Sequence, residues 1–129
     1  MGVEQTVSFT GRAVPSWPEV AGLLARHGLA AQVRMIDGEL SFPDEVPPAS
    51  WRELRLGTPQ GMVTVRREGH RLVFVTWGNA EASLTQAWNA VAWAFAAAGG
   101  GQVQSADGAW SAAEFQHRAD LPASLRPSP

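Results

Sequence analysis

The side chains best able to do chemistry in this chain are three histidines, ten arginines and twelve carboxylates; cysteine, tyrosine and lysine are missing altogether. Composition alone therefore excludes disulfides, thiolate nucleophiles, cysteine-ligated zinc, lysine Schiff bases and tyrosine acid–base chemistry. His27, His70 and His117 are never two, three or four residues apart, the spacing that aims two imidazoles at one metal from a single strand or helix. His117 with Asp120 is at most a weak ligand pair beside a proline-rich tail, so no metal and no cofactor is expected. No Gly-x-Ser-x-Gly elbow marks a serine nucleophile. Gly99, Gly100 and Gly101 follow a helical stretch instead of preceding one, so they read as a helix stop and not as a phosphate cradle.

Two charge clusters remain. Asp37, Glu39, Asp44 and Glu45 surround a turn. Carboxylates so gathered serve acid–base hydrolysis or hold a divalent cation, but beside a turn and a proline loop they read first as a solvated edge. Arg66, Arg67, His70 and Arg71 meet at the tip of a second hairpin. A two-residue turn at Glu68-Gly69 sets Arg66 directly opposite Arg71, where like charges repel and an anion brings relief. These four residues are the candidate anion site, with Trp77 farther along the same face as a stacking surface. The formal charge of −2 gives no overall basic field. Nucleic acid and anionic membranes are accordingly disfavoured as partners, and a small anion is the better fit.

The elements that must position these groups follow from pattern. Residues 3–10 alternate apolar and polar as a strand. Ser16 with Glu19 forms a capping box that opens a helix over 17–27, with Pro18 in its first turn and Gly28 as its stop. Asp37-Gly38 is a hairpin turn; the pairing sets Met35 opposite Leu40 and Val33 opposite Phe42, all on one face. Residues 43–50 read as a loop, and 53–56 as a short strand in preference to a helical turn capped by Ser50. The second hairpin joins strands 61–67 and 70–77, with Val63 opposite Phe74 and Val65 opposite Leu72. Asn79 caps a helix from Ala80 to Ala98 whose inner stripe is Leu84, Trp88, Val91 and Phe95, leaving Trp93 on the outer side. Residues 102–105 form a last strand, and Ser111 with Glu114 caps a short helix ending near His117.

The resulting expectation is one α+β domain over residues 1–119, followed by a mobile proline-rich tail over 120–129. Its architecture is a two-layer α/β sandwich: two main helices cover one face of a mostly antiparallel sheet, ferredoxin-like with extra hairpin strands. Two helices cover one face only, so the other meets solvent or a partner. That open face carries Met62, Val73, Val75 and Trp77, and with outward-facing Trp93 these residues form the candidate interface. No apolar run approaches the roughly 18 residues that cross a bilayer, and Glu4 interrupts any cationic lead into one, so a soluble cytoplasmic chain is expected. The leading functional reading is a non-enzymatic protein-interaction module, self-associating as a homodimer or docking on another protein. Behind it stand a binder of a small anion or single-stranded nucleic acid through the arginines, and a hydrolase whose site leaves no motif.

Overall fold

The computed structural model describes residues 2–9, 14–42, 44–77, 81–106 and 108–126, with the backbone alone for residues 2, 3 and 77. Eight described strands form one open sheet: β1 (Gly2–Ser8), β2 (Gln32–Ile36), β3 (Glu39–Leu40), β4 (Glu53–Thr58), β5 (Gly61–Glu68), β6 (Arg71–Trp77), β7 (Gln102–Ser105) and β8 (Gly108–Ser111). Their order across the sheet is β3-β2-β4-β5-β6-β1-β7-β8, and every neighbouring pair is antiparallel. Three helices accompany the sheet: α1 (Trp17–Arg26), α2 (Ala82–Gly99) and α3 (Ala112–Arg118). The class is thus α+β. No helix among the described residues is long and apolar enough to cross a membrane.

Local chemistry starts and stops these elements. Ser16 and Ser111 each cap a helix, with Glu19 and Glu114 reaching back to the capping residue's own N–H, so both boxes satisfy donors that a helix start leaves unpaired. Gly100, at φ 67°, ends α2 in the left-handed conformation that glycine adopts without strain. The expected cap of α2, Asn79, lies outside the described residues, and the helix is described from Ala82 with Glu81 before it. Residues 53–56 are strand, and β8 adds to β7 a ladder that the sequence pattern did not suggest.

One face of the sheet carries Val7, Val33, Leu54, Leu56, Val63, Val65, Leu72, Phe74 and Val103, all buried. α2 lies on that face and is itself enclosed: α1 packs on one flank and α3 on another. Ten consecutive residues of α2, Ala87–Ala96, are buried, so this helix has no outer side. Trp93, expected to face solvent, is consequently 6% exposed and meets His27 edge-on at 5.3 Å. Phe95 sits at the centre of the aromatic core, with ring centroids 5.5 Å from Phe74, 6.2 Å from Trp17 and 6.4 Å from Trp51. The segment after α3 also departs from the expected mobile tail. Leu121 and Leu125 are fully buried, and Gln116 and Arg126 donate to the carbonyls of Leu125 and Leu121.

Both hairpins differ in detail from the pattern. In the first, Met35 pairs with Leu40 as expected, but a bulge between Val33 and Met35 shifts β2 against β4. Val33 stays opposite Leu56 on the core face, while Met35 comes opposite Arg55 on the outer one. One inserted residue reverses the sidedness of everything beyond it. Phe42 lies past the end of β3 and is exposed. In the second hairpin the turn is Gly69-His70, so Glu68 pairs with Arg71, Arg66 with Val73 and Val65 with Phe74. Each strand keeps its faces, but Arg66 and Arg71 are not opposite one another.

Candidate functional site

The outer face of the sheet follows from the register. One row runs Glu4, Val75, Thr64, Arg55, Met35, Leu40 from β1 to β3; the next runs Gln104, Thr6, Val73, Arg66, Glu53. Arg66 on β5 reaches Glu4 on β1 at 3.8 Å, and β6 lies between those strands, so this ion pair passes over β6. That strap accounts for Val73, which is only 2% exposed although it points away from the core. Long polar side chains covering an apolar one with their stems achieve such burial without a second layer. Val75 is half-buried and Met62 is 45% exposed. β6 ends at Trp77, which shares strand parity with Val73 and Val75; its side chain lies outside the described residues. Of the five candidate interface residues, then, Val73 and Trp93 are buried within the chain, and Met62 and Val75 offer surface.

The strongest apolar exposure lies at the β3 edge, three strands from Met62 on β5 and four from Val75 on β6. Leu40 is 86%, Phe42 75% and Val46 64% exposed, on β3 and the loop after it. The turn that carries them is held firmly. Asp37 takes φ 50° and its carboxylate accepts the backbone N–H groups of Arg52 at 2.7 Å and Glu53 at 2.8 Å. Those donors favour the ionised form and hold the Asp37 pKa below its ordinary value. The acidic cluster thus has a structural member in Asp37, and Glu45 likewise accepts from the N–H of Phe42. No group of three metal-ligating side chains occurs among the described residues.

The four candidate anion-site residues are dispersed. Arg66 engages Glu4, and Arg71 engages Glu68 at 3.4 Å. Arg67 belongs to the opposite face, where its guanidinium lies 4.4 Å over the ring of Trp51 and donates to the carbonyl of Ala49. Burial pushes the Arg67 pKa down, with the charge of Asp37 pulling the other way. His70 occupies the exposed turn. The repulsive pair expected at this tip is replaced by two exposed ion pairs, each worth about 0–1 kcal/mol.

The sequence reading missed a cleft of about 640 Å³ at one end of the sheet, walled by Trp88, Trp110 and Phe115 and edged by Arg118 and Asp120. Two buried amides line it: Gln5 donates to Asn89 at 3.0 Å, and Asn89 donates to the carbonyl of Asp120 at 2.9 Å. The signal for it was present in the sequence. Gln5 interrupts the apolar face of β1, and Asn89 interrupts the otherwise apolar run from Ala87 to Ala98.

Comparison of the chain with protein-family models, with curated proteins and with solved structures finds no match. Function has to be argued from geometry.

Proposed function

We propose that the chain is a non-enzymatic protein-interaction module that self-associates through the outer face of its sheet and the adjoining β2–β3 hairpin. The observation that carries this reading is exposed apolar area: Leu40, Phe42 and Val46 stand out at the β3 edge of a sheet whose outer face also bears exposed Met62 and the half-buried Met35 and Val75. Apolar area left in water forfeits about 25 cal/mol for each Å² that a partner would cover. A second copy suits the charge pattern of the face, because Arg55, Arg66 and Arg71 are matched by Glu4, Glu53 and Glu68. A surface of balanced sign does not repel its own copy, and two-fold pairing brings each sign to the other. The short edge strand β3, with its outer backbone groups unpaired in the sheet, lies within the same surface.

Strand order also supports the finer architectural reading. The run β5-β6-β1-β7, with α1 following β1 and α2 joining β6 to β7, fits a ferredoxin-like two-layer core to which β2, β3, β4 and β8 are additions. Arg66 and Arg71, each already engaged by a carboxylate, place the arginine-site reading second.

Sedimentation of the full chain at roughly 50 µM, where a dimer of micromolar Kd is largely formed, tests the proposal. A dimer is expected, and Leu40→Arg combined with Val75→Arg is expected to give a monomer with unchanged circular dichroism. A monomeric parent chain at that concentration overturns self-association.

A further inference from the structure

We propose that the cleft bounded by β1, β7, β8, α2 and α3 is a binding site for a small organic carboxylate with a flat apolar body. This site is separate from the sheet's outer face and does not depend on self-association. Its walls are aromatic: Trp88 comes from α2, Trp110 from β8 and Phe115 from α3. Its volume, about 640 Å³, is that of a small-molecule site. Rings and amide faces of this kind receive a planar group by stacking and leave its polar end to be fixed elsewhere.

The polar end is specified by what in the cleft is already engaged and what is not. Asp120 is occupied, since Gln86 donates to its carboxylate at 3.1 Å and Arg126 at 3.4 Å. Glu4 is drawn to the outer face by Arg66. The Gln5 and Asn89 amides hold each other and the backbone of Asp120. Arg118, by contrast, has no carboxylate within ion-pair distance among the described residues; its guanidinium lies 4.9 Å over the ring of Trp110. A guanidinium over the ring keeps its N–H donors for a planar acceptor, the geometry a carboxylate matches. The second observation is independent. The indole Nε1–H of Trp88 is buried without a hydrogen-bond partner, although buried donors are as a rule paired. Trp88 is a wall of the cleft and its Nε1 is closed to solvent, so an acceptor reaches that donor once the ring gives way by a small movement.

The carboxylate therefore answers Arg118 and the unpaired indole donor, and the flat body answers Trp88, Trp110 and Phe115. Glu114, one turn earlier on α3 and outside the cleft lining, feels the charge of Arg118 without pairing with it at ion-pair distance, so the guanidinium's donors stay open to an anion.

The test follows indole N–H resonances of the nitrogen-15-labelled full chain during titration with cinnamate, cinnamamide and acetate. Trp88→Phe assigns the Trp88 signal by its loss. Cinnamate is expected to shift that signal saturably, with cinnamamide and acetate each weaker by about tenfold or more, since each lacks one half of the recognition. Arg118→Gln is expected to weaken cinnamate by about tenfold while leaving cinnamamide unchanged, which also reports that the cleft has kept its shape. Three results overturn the proposal: equal binding of cinnamate and cinnamamide, binding of acetate as strong as that of cinnamate, or no saturable shift up to about 10 mM, a weak limit even for a ligand of this size.

Discussion

At the β8 edge of the sheet, Trp110 and Val103 lie beneath α3, and the segment that follows is drawn in until Leu121 and Leu125 are fully buried. At the β3 edge, Leu40, Phe42 and Val46 stand in water, although the backbone beneath them is held by the turn tied down by Asp37 and by the bonds of Ser41 and Glu45. Both edges carry apolar residues next to prolines and small polar residues. What separates them is cover, not composition: one edge is closed by its own chain, and at the other the described apolar side chains stand in water. An apolar residue at a sheet edge thus acquires its meaning from what lies over it.

Four substitutions break or sharpen that contrast. Phe95, shared by both halves of the core, sets the upper end of the scale; Phe95→Ala is expected to cost about 3–5 kcal/mol in urea unfolding. Leu121→Ala, on the closed edge, is expected to cost about 2–4 kcal/mol, and a loss below about 1 kcal/mol would mean that the C-terminal cover contributes little.

The third prediction concerns pH. Because the folded Asp37 carboxyl titrates below its ordinary value, its contribution is complete above the unfolded carboxylate pKa of about 3.9 and is lost as pH falls from there through the folded value. Asp37→Asn tolerates the same backbone conformation and removes the charge. The stability difference between parent and variant is expected to be constant near neutrality and to shrink below about pH 4. A pH-independent difference would show that the hairpin is anchored by something other than the ionised carboxylate. Smallest is Leu40→Ser on the open edge, expected to change unfolding free energy by no more than about 0.5 kcal/mol while weakening association. A large loss of stability there would place Leu40 under cover within its own chain.

These contrasts show which features a sequence displays. Both capping boxes are legible because donor and acceptor are three residues apart, a distance fixed by the helix itself. The Asp37-Gly38 turn is legible for the same reason. The bulge is not, since Gln32–Met35 reads as plain alternation and only the pairing with β4 reveals the extra residue. The tip of the β5–β6 hairpin shows how little separates two outcomes. Moving the turn from Glu68-Gly69 to Gly69-His70 keeps every face and changes every partner, so a repulsive arginine pair becomes Arg71 beside Glu68. The C-terminal segment misled through its prolines; Leu121 and Leu125, four residues apart, are the better guide. The cleft draws on Gln5, Trp88, Trp110 and Arg118, which are far apart along the chain and are united only by the fold.

The enclosure of α2 bears on the order in which the chain can assemble. A helix with one polar face can dock early and wait, its other side at ease in water. α2 has no such face over Ala87–Ala96, and its covering comes from opposite directions along the chain, α1 before it and α3 after it. Until both have arrived, this alanine- and tryptophan-rich cylinder keeps an uncovered apolar surface, of the kind that makes a partly folded chain prone to aggregation. The same feature ties the two halves of the chain into one cooperative unit, since neither half can complete the surroundings of α2 without the other.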